Sequence, residues 1–425
     1  MNRQRSRRAL GILLAAAAPF VSPCAAAETL FINDATVHTM ARGVVLQNAD
    51  ILVRDGRIQA VGRDLQVPAD ARLIEADGRP VTPGFFAGIS RLGLVEITME
   101  EPGAAPGANA NGGGAELRPE LDVSRHYNPL STAIPVTRIE GYTWTVLQAA
   151  QPGSIIGGQG RAAYLDGVFG GFTGDSILFL DLGDDAASQA GQPAATQWML
   201  LDQAMSEAGS EAAWLPHALL TLAGRRAMSH YLSGGVTVFD VDSAGDILEV
   251  LDFSQRHGLK AVISGGAQAW MVADRLAESG VPVILDPLEN LPGSFDRIGA
   301  RMDNAALLHA AGVTIAFGGG AVHNARKLRQ AAGNAVAHGL PYEAGLQAMT
   351  LNPAVIFELG PDHGSIQQDS RADLVIWSGD PLEVTSAADS VLIDGKLIPM
   401  VSRQTLLRDR YLPVDPDLPR AYIKP

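Results

Sequence analysis

The amino-acid sequence predicts an α/β protein, a (β/α)8 TIM-like barrel plus a small β-sandwich formed from both chain ends. Strand-like segments with turn signals fill residues 28–82 and return over 361–400. Between them, residues 83–360 alternate apolar strands with helical stretches, and about 280 residues is the usual size of such a barrel. Strands that are apolar along their whole length indicate a parallel sheet covered on both faces.

The amino-acid composition alone excludes several classes of protein. The chain has 425 residues, of which 47% are hydrophobic and 18% charged, so it can bury a large core and is not a disordered protein. A single cysteine excludes a disulfide framework and a zinc site made of cysteines. The net charge of −14 argues against a nucleic-acid-binding surface.

The first 27 residues have the pattern of a secretory signal peptide. Arginines precede the apolar run Ala9–Val21, and the small residues Ala25–Ala27 follow it. We therefore expect a periplasmic or secreted protein, with both the general and the twin-arginine export routes left open. The run is too short to span a bilayer comfortably, and no later apolar run reaches 18 residues, so no membrane span is predicted.

The predicted sandwich takes strands from both ends of the chain. Its turn signals are Asn33-Asp34, Asp55-Gly56, Asp77-Gly78 and Asp394-Gly395. The segments between them are rich in β-branched residues or alternate in polarity. These segments are Thr29–Ile32, Asp50–Val53, Ile58–Val61, Arg72–Glu75, Asp373–Trp377 and Ser390–Ile393.

In the predicted barrel, each strand is followed by a helix, and any site should lie at the carboxyl ends of the strands. The clearest strand–helix pairs are Val236–Val241 with Asp246–His257, and Lys260–Ser264 with Ala269–Ser279. The low-complexity insert at residues 102–116 is read as a mobile loop after the first barrel strand. Residues 401–425 are expected to form a short amphipathic helix, Ser402–Tyr411, and an extended tail.

Three motifs in order resemble those of a known enzyme family. They are Val81–Phe86 (VTPGFF), Thr350–Ala354 (TLNPA), and Gly364–Ile366 followed by Ala372–Val375 (ADLV). Together they resemble the amidohydrolase superfamily, especially its imidazolonepropionase-like branch, over residues 28–400. The resemblance implies the barrel and sandwich, hydrolysis of C–N bonds in small cyclic amides, and zinc or another divalent metal as cofactor.

The same resemblance shows where that metal would be held. The family's ligand positions on the first strand fall on Ala87, Ile89 and Arg91, and its Asp on the last strand falls on Gly320. Asp240 takes the place of a ligand histidine, and the next strand ends in Ser264 without an imidazole. One carboxylate does not hold zinc, which needs three or four ligands. We therefore predict that the metal centre is missing and that no cofactor is bound.

The remaining polar residues at the strand ends form the candidate site. Asp240 and His323 are the candidate catalytic residues, as a general-base pair that works without metal. An arginine-rich pocket suits a small polar or anionic molecule, since guanidinium groups bind carboxylates. Its candidate ligand-binding residues are Arg91, Glu96, Arg138, Asp242, Asn324 and Arg326.

Two other interpretations of these residues stay open. Arg91 could pair with Asp240 or Asp242 and merely fill the space of a lost metal. A loop with Glu289 and Asp296 around Pro292-Gly293 could form the rim of the pocket. The sequence thus allows an impaired or metal-independent exported hydrolase, or a non-catalytic periplasmic ligand-binding or scaffold protein. A homo-oligomer is compatible with either function.

Overall fold

The structure is a computed structural model that describes residues 29–41, 44–96, 117–151, 153–183, 193–210, 212, 217–319 and 322–412. The predicted signal peptide, the low-complexity insert and the tail beyond Leu412 lie outside the described residues. These three features therefore stay predictions.

One eight-stranded sheet combines both ends of the chain. Strand β5 pairs antiparallel with β14, so that Thr82 lies opposite Val375. This pairing confirms the predicted composite sheet. Its strands are β1 (Leu30–His38), β2 (Val45–Arg54), β3 (Arg57–Gly62), β4 (Arg72–Glu75), β5 (Pro80–Pro83), β14 (Leu374–Trp377), β15 (Ala388–Ile393) and β16 (Lys396–Leu397).

The turn signals of this sheet were predicted well, with one exception. Asp55 and Gly56 have φ of +53° and +77° and join β2 to β3 as a tight hairpin turn. Asn33-Asp34 is not a turn but a bulge inside β1, where Asp34 has φ of +53°. The bulge lies where β1 exchanges its parallel partner β4 for β5, so the chain bends without reversing.

A second eight-stranded sheet forms the barrel in chain order. All neighbouring strands are parallel except β8, which is antiparallel to both β7 and β9. The predicted alternation of strand and helix is therefore wrong between β7 and β9, where no helix intervenes. The strands are β6 (Phe85–Ser90), β7 (Tyr142–Leu147), β8 (Ile156–Tyr164), β9 (Phe172–Asp181), β10 (Val236–Val241), β11 (Lys260–Gly265), β12 (Val283–Leu285) and β13 (Ile315–Phe317).

Glycines let the first and last barrel strands approach each other. Gly88 has φ of +80°, and a Cβ built on it would lie 3.3 Å from Gly318 Cα. A side chain at Gly88 would press on Gly318 and hold β6 and β13 apart, while one at Gly318 would overlap Ile284 of β12. The sheet thus becomes a nearly closed barrel.

Helices connect the strands from β9 onward. Helix α4 begins after Ser243, whose Oγ accepts a hydrogen bond from Asp246 N, and ends at Gly258 with φ of +66°. The helices are α1 (Ala133–Arg138), α2 (Ala194–Ala208), α3 (Leu222–Leu232), α4 (Ala244–His257), α5 (Ala273–Ser279), α6 (Asn304–Ala310), α7 (Leu328–Ala337), α8 (Tyr342–Met349), α9 (Leu351–Ile356) and α10 (Arg403–Tyr411). None of the described helices is both long and apolar enough to cross a bilayer.

The lower barrel interior is filled by large apolar side chains. Phe86 packs against Trp144 with ring centroids 4.4 Å apart and against Phe357 at 5.9 Å. Ile177 and Val238 belong to the same buried cluster. Phe357 follows α9 and packs on Phe86 near the start of β6, so these side chains fill the barrel towards the amino ends of the strands.

Candidate functional site

The uppermost layer of inward-facing residues differs from the apolar layers below it. Asp240, at the end of β10, lies opposite Asp181 of β9 and Ser264 of β11. Ile89, Gln148, Ile284 and Gly318 complete the layer. Above it is a cavity of about 280 Å³, lined by Ile89, Gln148, Asp240, Asp242, Ser264, Gly265, Ala267, Ile284, Asp286, Glu289, Arg297, Asn304, Gly318 and Gly319.

Asp240 is the most perturbed carboxyl group of this cavity. Burial raises its pKa to about 7, helped by the neighbouring carboxylates of Asp181 and Asp242 and opposed by Arg297. A carboxyl group in this range exchanges its proton at neutral pH, as a general acid or base must. The structure therefore places a group with suitable protonation chemistry where the fold usually holds its active site.

Asp242 belongs to an ion-pair network on one side of the cavity. Arg297 donates from Nε to Asp242 Oδ2 at 2.7 Å and from Nη1 to Glu289 Oε1 at 3.3 Å. Asp242 Oδ1 accepts a hydrogen bond from Ala267 N at 3.1 Å. Arg297 is thus a cation that pairs with Asp242, a partner that the sequence did not suggest.

Asp286 and Gln148 also line the cavity. Burial raises the pKa of Asp286, although the Leu288 N–H, which it accepts at 2.9 Å, and Arg297 oppose this shift. Gln148 directly follows the end of β7, one inward position beyond Val146. Its side-chain amide brings hydrogen-bond donors to the level of Asp240.

Two of the predicted ligand-binding arginines do not line the cavity. Arg138 precedes β7, and its Nη1 donates to the carbonyls of Leu165 and Asp166 at 3.2 and 3.1 Å. Arg326 donates to Gln404 Oε1 of α10 at 3.2 Å. Its carbonyl accepts from the Tyr142 hydroxyl at the start of β7. Arg138 precedes β7 and so lies at the amino end of that strand, whereas Arg326 follows β13 as expected but its side chain reaches α10 instead of the cavity.

Of the remaining predicted residues, Asp240 and Asp242 line the cavity, whereas Glu96, Arg91 and Asn324 do not. Glu96 is exposed and accepts hydrogen bonds from the backbone and hydroxyl of Thr132, at the start of α1. Arg91 and Asn324 are half-buried and do not line the cavity described above. His323 lies in the 3-10 helix Val322–Lys327, but its side chain is outside the description, so its pairing with Asp240 stays a prediction.

The cavity is therefore acidic rather than arginine-rich. Asp240, Asp242, Asp286 and Glu289 line it, and Arg297 is the one cation among its described lining residues. The expectation of an anionic ligand rested on Arg91, Arg138 and Arg326, which lie elsewhere. By contrast, the expectation that the loop with Glu289 forms part of the rim agrees with the structure.

The described residues do not fit a divalent-metal centre. Ile89 lines the cavity where the family resemblance expects a ligand, while Ala87 faces the outer core between barrel and helices. Ser264 occupies the corresponding position on β11. Within the described part of the chain, no three His, Cys, Asp or Glu side chains are grouped so that they could hold a metal ion.

Some lining residues had a usable signal in the sequence and others did not. Asp286 and Gln148 directly follow the apolar segments Val283–Leu285 and Val146-Leu147, and Asp181, which lies beside Asp240 and not in the cavity lining, follows the apolar run Ile177–Leu180 at the end of β9. A polar residue at that point of a barrel strand marks the mouth. Arg297 comes from a 3-10 helix within a long loop, Phe295–Arg297, and only the folded path of that loop brings it to Asp242.

The raised pKa of Asp240 predicts a pH-dependent cost to stability. Its pKa of about 7 in the folded protein exceeds the ordinary value of 3.8. The contribution of Asp240 to the free energy of unfolding is therefore highest below about pH 4. It falls as the pH rises through 7. We expect Asp240→Asn to be more stable than the wild type at pH 8, with a difference that shrinks towards pH 5.

Urea unfolding at the two pH values measures this effect. The exposed variant Asp252→Asn is the control, since Asp252 lies on α4 outside the cavity. Each pKa unit corresponds to about 1.4 kcal/mol, so an effect of a few kcal/mol is expected. An equal difference in unfolding free energy at both pH values would contradict the assignment.

Known proteins resemble this chain in both sequence and fold. Residues 193–398 match the Amidohydrolase family. An amidohydrolase from Thermotoga maritima MSB8 superposes with a TM-score of 0.74 at 23% identity, covering 87% of this chain and 99% of that one. This is an amidohydrolase fold. The protein therefore has the fold that its sequence predicts, with both the barrel and the second sheet.

Two curated relatives are similar to this protein in sequence. Amidohydrolase tasK of Hapsidospora irregularis is 39% identical over 74 residues, 17% of this chain and 8% of that protein. Adenine deaminase of Rubrobacter xylanophilus is 26% identical over 391 residues, 86% of this chain and 57% of that protein. The chain therefore spans only part of the length of either relative.

Proposed function

We propose that the protein hydrolyses a carbon–nitrogen bond of a small molecule in the cavity at the barrel mouth, without a divalent metal, using Asp240 as its acid–base group. The observation that carries the proposal is the position of Asp240, whose pKa burial and two neighbouring carboxylates raise to about 7. Perturbed carboxyl groups in clefts are typical of catalytic sites. Adenine deaminase, a relative by sequence, is named for a reaction at a C–N bond.

The chemistry needs only water and the residues of the cavity. The Asp240 carboxylate accepts a proton from water as the water oxygen bonds to the electrophilic carbon. Asp240 then returns that proton to the leaving nitrogen while the C–N bond breaks, and the carboxylate is regenerated. Such proton transfer contributes about 10²- to 10⁴-fold to rate.

Two neighbours support these steps. Asp181 lies beside Asp240 across the β9–β10 pair, and its charge favours the protonated form of Asp240. The side-chain amide of Gln148 lines the cavity, where its N–H groups can stabilise negative charge that develops on the substrate. Export from the cytoplasm and the imidazolonepropionase-like subclass remain predictions from the sequence.

The test combines turnover with metal analysis. Protein purified without chelators is assayed against cyclic amides and aminopurines, before and after EDTA treatment, and its metal content is measured by plasma mass spectrometry. We expect turnover that survives EDTA and a metal content well below one ion per chain. A stoichiometric metal whose removal abolishes turnover would overturn the proposal.

A non-catalytic ligand-binding protein is the second candidate. Among the described lining residues, no hydroxyl is hydrogen-bonded to a histidine, because Ser264 has no such partner. These residues therefore lack the activated hydroxyl that a nucleophilic hydrolase would use, which favours this candidate. Saturable binding of a small molecule with no turnover of any compound would favour this candidate over the hydrolase.

A further inference from the structure

The free polar groups of the cavity are mostly hydrogen-bond acceptors. Four carboxylates line it, from Asp240, Asp242, Asp286 and Glu289. Asn304 also lines it and is 5% exposed. The Asn304 Nδ2 donates to Gly266 O at 2.9 Å, which leaves its buried Oδ1 without a hydrogen-bond partner in the described structure.

A buried acceptor without a partner costs free energy unless a donor reaches it. Because Nδ2 faces Gly266 O, reversing the amide would only move the unsatisfied group, whereas a molecule that enters the cavity can supply the donor that Oδ1 lacks. This observation is independent of the carboxylates and indicates the same kind of ligand.

Arg297 shows how the cavity holds a cation. Its guanidinium group binds Asp242 and Glu289 at 2.7 and 3.3 Å. Burial alone would lower the pKa of Arg297, but Asp242 and then Glu289 and Asp240 keep it raised. Arg297 thus neutralises one side of the cavity, while no ion pair joins Asp240 or Asp286 to a described cation.

We propose that the cavity binds a small organic cation with a guanidinium or ammonium group, whose N–H groups donate to Asp286 and to Asn304 Oδ1. The inference rests on the proposed function only in using the same cavity, and it deepens that function by defining the substrate class. A volume of about 280 Å³ suits a compact molecule, since sites for drug-sized ligands are usually about 300 Å³ or larger.

The neutral side chain Asn is a suitable replacement for Asp286. Asp286 Oδ1 accepts the Leu288 N–H at 2.9 Å, and an Asn amide oxygen can keep this hydrogen bond. The variant Asp286→Asn therefore removes the charge while it preserves the local turn. Asp252→Asn removes the same charge from the outside of α4 and serves as the matched control.

Calorimetric titration with methylguanidinium tests the inference, with methylurea as a neutral compound of similar shape and acetate as an anion. We expect saturable binding of methylguanidinium alone. Since hydrogen bonds to charged groups are strong, Asp286→Asn should weaken it by about tenfold to a hundredfold. Asp252→Asn should bind as the wild type does, and added salt should weaken binding only modestly in this partly buried site.

The outcomes separate this inference from the proposed function. Equal binding of methylurea or acetate, or methylguanidinium binding that Asp286→Asn leaves unchanged, would overturn the inference. Cation binding without hydrolysis of any cationic amide or amidine would support the inference and count against the hydrolase. Hydrolysis of neutral amides by a protein that binds no cation would support the hydrolase and count against the inference.

Discussion

Replacement of Asp240 by Asn is expected to lower kcat by about 10²- to 10⁴-fold on any C–N substrate of the protein. Asn has nearly the same shape but cannot carry a proton between water and the leaving nitrogen. The wild-type rate should also depend on pH around Asp240's raised pKa of about 7, and the residual rate of the variant should lose this dependence.

The measurement is a pH–rate profile of both proteins between pH 5 and 9. Asp252→Asn is again the control for removal of a carboxylate, because it lies outside the cavity. The stability measurements described above show whether the Asp240→Asn protein is folded, since that variant is expected to be at least as stable as the wild type at pH 8. A variant that keeps its full rate would refute the catalytic role of Asp240.

Replacement of Trp377 by Ala should destabilise the fold strongly. Trp377 is fully buried, and its Nε1 donates to Thr82 Oγ1 at 2.9 Å. Its ring lies 5.0 Å from the Phe85 ring and 5.3 Å from the Arg329 guanidinium carbon. It therefore joins the second sheet to the barrel, and its truncation is expected to cost about 3–5 kcal/mol.

Urea unfolding monitored by circular dichroism measures this cost. Trp377→Phe keeps an aromatic ring but loses the hydrogen bond to Thr82, so its loss should be clearly smaller. If both variants lose the same free energy, the hydrogen bond rather than the packing of the ring would dominate. A loss below about 1 kcal/mol for the Ala variant would show that the site relaxes after truncation.

The stability expected of Asp240→Asn and its expected loss of activity have one origin. A carboxylate held among other carboxylates is poised for proton transfer because the fold disfavours its charge. Such sites commonly trade stability for activity. The two experiments on Asp240 therefore test the same physical statement from two directions.

Much of the fold could be predicted because its signals are local. The strand Val236–Val241 has its predicted bounds, since apolar residues run through it and Gly234-Gly235 precede it. The antiparallel β8 was missed because its run of Gly157, Gly158 and Gly160 gives little strand signal. Those glycines are needed by tertiary packing, since a Cβ on Gly160 would overlap the carbonyl of Leu147.

The candidate site was predictable only where it depends on strand register. Asp240 is the last inward-facing residue of its strand, so its place at the mouth follows from alternation. Arg297 reaches Asp242 from 55 residues further along the chain, through a loop whose path no local pattern specifies. For this reason the sequence indicated a pocket rich in arginine, and the folded chain has an acidic one.

The pairing of β5 with β14 has a consequence for how the polypeptide matures. Thr82 and Val375 are neighbours in space but are made at opposite ends of translation. Until the ribosome has released the last strands, β5 keeps an open edge with unsatisfied hydrogen-bonding groups, and contacts between such distant segments form slowly. The edge of β5 that later binds β14 thus stays unpaired for most of the synthesis of the chain.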